Sequence, residues 1–401
     1  MMLNIEVIRK HLFIVVGEEH YTPLGVIRSL GEQGIRPVAI ILKPQAKHIA
    51  NVASTSKYIS KLHIVSSYDD VYDLIKKNYS NQKLKPFIIP CDDIIVAKLD
   101  EHFEELKGSF YIQNAGGNCR ISHFEKKEVL NDLAIQCGFD VAETWRIDKN
   151  EIPKNIKYPV ITKPFESYDG WKQDYYICKN EDELRNALTK VKGRVFLQHY
   201  IKKVNELCLD GVVVNKGKEV FVSIASTYTY VLPDYYSMEM IVDNFKDESL
   251  KKMFDDIFEK IQYEGIFSAE FMIDKKGKLW FLEINFRNST WSYASTSLGM
   301  NLPCIWAYGM LNSCLPNHIY RDIPKNYIAL AEVTDFEKRV REYKLITLKE
   351  WFSSVKKADC LFFYNKYDKK PAFVIWKKKI WNIITKKIVL IRRIERRRER
   401  N

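Results

Sequence analysis

From Ser268 to Arg287 the chain writes a hairpin that sharply limits how it can fold. Ser268 to Ile273 and Leu279 to Ile284 are strand-like runs joined by a Lys-Lys-Gly turn. Strand side chains alternate in direction. Glu283, Asn285 and Arg287 therefore share one face, with Phe281 beside them, and Leu282, Ile284 and Phe286 share the other. Glu270 on the first strand can fall opposite the polar row. One face must pack on a core, and the other either meets open water or walls a cleft. Trp280 and Trp291 bracket the row, which suits a covered cleft. Two carboxylates and an amide oxygen are hard ligands suited to Mg²⁺ (or Mn²⁺) bridging phosphates, and an arginine beside them can clamp an oxyanion. The same residues also fit an ordinary solvated hairpin face.

Upstream, apolar strands alternate with helices. Leu12 to Val16, Pro37 to Leu42 and Phe87 to Ile89 read as buried strands, and residues 24–34 and 69–79 as helices. That order predicts a parallel α/β sheet. The first turn lacks G-x-G-x-x-G, which speaks against a dinucleotide-binding oxidoreductase. Ligands of such sheets sit beyond the carboxyl ends of the strands. Gly17 to Tyr21 and Cys91-Asp92-Asp93 are thereby placed near one crevice. Asp92 and Asp93 could hold a cationic amine, and Asp92 equally suits a helix cap.

Three further segments carry chemistry. Lys163 ends the strand Tyr158 to Thr162 ahead of a polar loop, where it can reach a phosphate or simply cap the strand. Lys126 opens a helix read over 125–138, as a phosphate partner or an exposed residue. Gln198, His199, Tyr200 and Ile201 end another strand, whose unpaired backbone can read an adenine edge. Glu206 follows and could accept from ribose, or be a solvated residue on a plain connector.

Together and in this order, these pieces resemble the ATP-grasp superfamily, from roughly Leu12 to Leu311. Within it the chain is most similar to the carboxylate–amine ligases that include D-aspartate ligases, on Lys163-Pro164, Ser167, Gly170, Lys172, Asp174 and Phe286 to Ser289. The resemblance implies an α/β chain with an N-terminal parallel-sheet pre-ATP-grasp domain (1–115). An ATP-grasp fold follows (116–318), two α+β subdomains clasping ATP: 116–195 with the phosphate loop, 196–318 for metal and substrate. A C-terminal appendage (319–376) and a basic amphipathic tail (377–401) complete it. It implies that Lys126, Lys163, Ser167, Lys172, Gln198, His199, Tyr200, Ile201 and Glu206 bind ATP. Glu270, Glu283 and Asn285 would hold Mg²⁺, and Arg287 with Lys163 would serve catalysis. The implied reaction activates a carboxylate as an acyl phosphate and joins it to an amine, releasing ADP and phosphate. Cell-envelope or polysaccharide precursors are one setting for it. Two departures stand out: the loop Phe165 to Gln173 has only Gly170, and His199 replaces the usual Glu. A carboxylase using another nucleophile, or a non-catalytic ATP-binding scaffold at a membrane surface, remain alternative readings.

Charge and cysteines narrow the rest. Eight cysteines without a C-x-x-C pair suit reduced thiols, and no signal peptide is read, so a cytoplasmic protein is expected. The net charge is +12, but residues 377–401 carry eleven Lys or Arg against two Glu. The remainder is near neutral, so nucleic acid is not an expected partner. From Trp376, apolar residues recur at 380, 383, 384, 388 and 391 in helical steps. This tail could dock on the body or lie on an anionic membrane surface, at the inner face of the membrane. The expected small-molecule partners are a carboxylate and an amine.

Overall fold

The computed structural model describes residues 5–43, 51–147, 152–164, 175–191, 195–232, 236–382 and 385. The expected phosphate loop, with Ser167 and Lys172, and the tail beyond 385 lie outside them.

The N-terminal unit is a parallel sheet in the order β3-β2-β1-β4, built from β1 (Phe13–Glu18), β2 (Val38–Leu42), β3 (Lys61–Val65) and β4 (Phe87–Pro90). Strands β1, β2 and β4 are almost wholly buried, so they read as unbroken apolar runs. Strand β3 escapes that reading because it lies at the edge, with Leu62 and Ile64 exposed. Three helices accompany the sheet: α1 (Tyr21–Glu32), α2 (Tyr68–Tyr79) and α3 (Asp93–Glu101). Asp92 caps α3, its Oδ1 accepting from Ile95 N at 2.9 Å.

Helix α1 is buried from Tyr21 through Leu30, since protein covers both its sides. Gly25 permits this, because a Cβ there would lie 3.0 Å from Tyr293 Cβ. Arg28 is fully buried and fully engaged. Its Nε donates to Asp368 Oδ2 at 3.2 Å, and its Nη1 and Nη2 donate to the carbonyls of Phe362 and Phe363, both at 2.8 Å. A buried guanidinium is tolerable only when so completely paired, and here it ties the two ends of the chain together.

The second unit is antiparallel, in the order β5-β8-β6-β7: β5 (Thr144–Ile147), β6 (Val160–Pro164), β7 (Ile177–Cys178) and β8 (Val195–His199). Helix α4 (Lys127–Gln136) precedes it, and α5 (Glu181–Lys190) packs on one face.

The third unit is a seven-stranded sheet, β13-β12-β9-β10-β11-β14-β15. Its strands are β9 (Lys203–Val214), β10 (Glu219–Tyr228), β11 (Glu239–Asp243), β12 (Gly265–Asp274), β13 (Leu279–Asn285), β14 (Tyr327–Leu330) and β15 (Cys360–Leu361). Helix α6 (Glu248–Ile261) buries Leu250, Phe254, Ile257, Phe258 and Ile261 on one face of it, a helical stripe against an apolar sheet. Helices α1, α7 (Ser292–Ser297) and α8 (Leu302–Asn312) cover the other. Residues 319–376, set apart above as an appendage, extend this same sheet through β14 and β15 and add α9 (Leu348–Lys357). All eight cysteines are free.

Candidate active site

The hairpin forms as β12 and β13, with Glu270 directly across from Glu283. One detail differs from strict alternation. A bulge after Glu270 pairs Phe271 with Phe281 and leaves Leu282 as the extra residue. Phe281 therefore turns away from the polar row and packs with Phe271, Ile284 and Phe286 in the core. The tryptophans do not cover the row either. Trp280 donates Nε1 to Asp274 at 3.1 Å, and Trp291 is buried edge-on against Phe362.

The polar row is one connected set. Asn285 Nδ2 donates to Glu270 Oε1 at 3.4 Å and to Glu283 Oε1 at 3.3 Å. Arg287 Nη2 donates to Asn285 Oδ1 at 3.2 Å. Arg287 also forks onto Asp93 from the N-terminal unit, Nε to Oδ1 at 2.6 Å and Nη2 to Oδ2 at 3.0 Å. The carboxyl ends of β1 and β4 are thus brought over the hairpin. Gly17 lets the ends of β1 and β4 lie close together, because a Cβ there would meet Cys91 Cβ at 2.9 Å.

Electrostatics mark the same place. Burial, with Glu283 and Glu206 nearby, pushes the Glu270 carboxyl well above its usual range. Burial also lifts Glu125 to about 8 and Asp92 to about 6. Two neighbouring carboxylates joined through an amide suit a divalent cation, whose charge would relieve their repulsion. Turning the Asn285 amide would aim its oxygen at that cation. Among the described residues no cluster of three or more His, Cys, Asp or Glu converges. Two acids and an amide leave the remaining coordination positions to phosphate oxygens.

The facing sheet supplies cations. Lys163 Nζ donates to Gln198 Oε1 at 2.6 Å, and Gln198 Nε2 donates to Thr144 Oγ1 at 2.9 Å. Burial first, then the charge of Lys127, lowers Lys163 to about 8, while Glu283 opposes the shift. Lys163 and Glu283, on different sheets, are therefore near enough for their charges to act on each other. Lys126 is the exposed N-cap of α4, and it is Lys127, the first residue of that helix, whose charge reaches Lys163.

His199 to Ile201 link the two antiparallel sheets. His199 Nδ1 lies 3.1 Å from the Lys157 carbonyl, and Tyr200 N donates to Pro159 O at 2.9 Å. Glu206 is buried, its carboxylate held between Lys203 and Tyr228, whose hydroxyl donates at 2.8 Å. Cys91 is buried with its thiol pushed up, unsuited to nucleophilic attack.

Sequence reading missed Lys127, Glu125 and His20. His20 caps α1, with Thr22 N donating to its Nδ1 at 3.2 Å. Its side chain is exposed to solvent, while desolvation by the atoms packed around it and then the charge of Arg287 lower the imidazole to about 4. The signal that could have found it was its place just past β1, at the crevice the parallel sheet predicts.

One sheet thus carries Lys163 and Gln198, and the next a Glu–Glu–Asn–Arg row. Residues 132–291 match the ATP-grasp domain family. Those residues thus carry an ATP-grasp domain. No curated protein matches the sequence. Solved structures share the fold at low identity. The L-amino acid ligase of Bacillus licheniformis is 12% identical, covering 75% of this chain and 74% of its own, with TM-score 0.56. The N5-carboxyaminoimidazole synthetase of Staphylococcus aureus is 15% identical, covering 83% and 86%, with TM-score 0.60. The biotin carboxylase domain of Hydrogenobacter thermophilus 2-oxoglutarate carboxylase, in complex with MgADP and bicarbonate, is 18% identical, covering 79% and 73%, with TM-score 0.57.

Proposed function

We propose that this protein is an ATP- and Mg²⁺-dependent, ADP-forming ligase that activates a carboxylate and couples it to an amine. What supports this reading is the connected row Glu270, Glu283, Asn285, Arg287 on one sheet, with the charge of Glu283 acting on Lys163 of the other. Lys163 and Lys127 would meet ATP phosphates, and the hinge His199 to Ile201 the adenine. Glu270, Glu283 and Asn285 would hold Mg²⁺, which would supply neutralisation of phosphate charge. A substrate carboxylate oxygen attacks the γ-phosphorus and ADP leaves. The amine nitrogen then attacks the acyl carbon, phosphate leaves, and the nitrogen gives up a proton to yield the amide. Arg287 would hold the carboxylate and the tetrahedral oxyanion. The acids Asp92 and Asp93 near Arg287 favour a cationic amine over bicarbonate as the nucleophile's source. Envelope or polysaccharide precursors, made in the cytoplasm, are the proposed setting.

Purified protein with acid, amine and ATP is expected to release ADP and phosphate. Acid, ATP and hydroxylamine together should yield a hydroxamate. Release of AMP and pyrophosphate would overturn the acyl-phosphate route, and turnover that needs bicarbonate would move the protein to the carboxylases.

His20 belongs in this scheme as a neutral donor. Because a backbone N–H donates to Nδ1, the proton of the neutral ring sits on Nε2. Beside Arg287, that N–H can bind a carboxylate oxygen. His20→Asn keeps a helix cap but removes the donor. The KM for the acid should rise roughly tenfold to a hundredfold, as for one hydrogen bond to a charged group, with ATP affinity unchanged. An equal loss for ATP would assign His20 a structural role instead.

A further inference from the structure

We propose that the face formed by α9 and the helix over 370–382 docks on an anionic lipid bilayer. This goes beyond the ligase reading and stands independently of it. The helix over 370–382 has two apolar sides. One is used in the fold: Ala372 and Ile375 are buried, Trp376 packs edge-on against Phe336 and Trp351, and Lys379 pairs with Glu337 at 2.9 Å. The other meets solvent, with Phe373 66%, Ile380 54% and Trp381 66% exposed. Residues 373, 380 and 381 are spaced to lie on one stripe, and Lys377 falls within it. On α9, Phe352 is 59% exposed and Leu348, one turn earlier, 50%. The Trp351–Trp376 contact, 5.7 Å between ring centroids, fixes the two helices as one surface.

Charge decides the occupant. Lys349, Lys356 and Lys357 lie on α9 beside its exposed apolar residues, and Lys370 and Lys378 lie on the other helix beside Lys377, with Lys369 just before it. The chain continues through a stretch with eleven Lys or Arg against two Glu over 377–401. Aromatic and aliphatic side chains ringed by lysines match the layered chemistry of a bilayer surface, apolar beneath and anionic above. Lysine within the stripe can keep its stem in the apolar layer and its ammonium among headgroups. No helix among the described residues is long and apolar enough to cross a membrane, so the contact proposed is peripheral.

The test is vesicle co-sedimentation of the full chain, with phosphatidylcholine alone and with added phosphatidylglycerol, at low and high salt. The expected result is binding to anionic vesicles only, weakened by salt. The double variant Phe373→Ser, Trp381→Ser should lose at least about tenfold in partitioning. Both residues are exposed, so its thermal transition should match the parent. Phe352→Ser, on the other helix, should weaken binding in the same direction. Equal binding of parent and double variant, equal binding to neutral vesicles, or none would overturn the proposal. So would a concentration-dependent dimer of the parent that the double variant abolishes, which would assign the face to a second copy.

Discussion

Glu270→Gln is expected to abolish ADP-forming turnover while stabilising the ligand-free protein at neutral to mildly alkaline pH. The two effects have one cause. Glu270 sits half-buried opposite Glu283, with its carboxyl held well above the ordinary range by desolvation and by Glu283 and Glu206. A carboxyl whose folded pKa exceeds its unfolded value binds protons more tightly in the folded state. Its contribution to stability is complete below the unfolded glutamate range, about 4.3, and is lost as pH rises through the folded value. Glu125, lifted to about 8, acts in the same direction. The melting temperature of the apo protein should therefore fall from about pH 4.5 towards pH 8, and Glu270→Gln should flatten part of that fall. Glutamine is near-isosteric and keeps the bond from Asn285. Without the carboxylate the cation loses a ligand, and turnover should drop by about a thousandfold, on the order of 4 kcal/mol. Calorimetric scans across pH with and without Mg²⁺, beside ADP-release rates, check both halves. A destabilised variant with proportionate loss of activity would make Glu270 a packing residue.

Lys163→Ala should weaken ATP binding by roughly a hundredfold, as for loss of a charge-assisted contact worth about 2–3 kcal/mol, and leave adenosine binding nearly unchanged. Lys163 is lowered to about 8 by burial and by Lys127. Its ammonium is present at pH 7 and fades above about pH 8, so ATP affinity of the parent should fall in that interval and adenosine affinity should not. Lys127→Ala should also weaken ATP. Lys126→Ala should change it little, since both lysines are exposed but it is the charge of Lys127 that acts on Lys163. Titration calorimetry with ATP and adenosine between pH 6.5 and 9.5, roughly a unit and a half either side of that lysine, separates these outcomes. An equal loss for both ligands, or a larger effect at Lys126, would remove Lys163 and Lys127 from the phosphate site.

The N-terminal parallel sheet and the 268–287 hairpin were legible because each is a local pattern. Strands β1, β2 and β4 are buried on both faces and need continuous apolar runs. Strand β13 is buried on one and alternates from Glu283 onward. Strands β11, β14 and β15 were not read, because short strands at the far side of a sheet are fixed by pairing with distant partners. Tyr327–Leu330 pairs with Glu239–Asp243 through contacts the local sequence does not encode.

The residue types of the site were likewise set by the sequence: Glu270, Glu283, Asn285 and Arg287 on one strand pair, Lys163 ending a strand, Gln198 ending another. Their facing each other was not. Burial of Arg28 against Asp368 and the approach of Gly25 to Tyr293 lock α1 onto the large sheet. That docking carries His20 and Asp93 to Arg287. The bulge at Leu282 turned Phe281 into the core, since one extra residue reverses every side chain before it. The choice between Lys126 and Lys127 depended on where helix α4 begins. Periodicity and residue chemistry act over a few residues and are written in the chain. Register, helix starts and the meeting of units depend on packing between segments tens to hundreds of residues apart, and only the folded structure decides them.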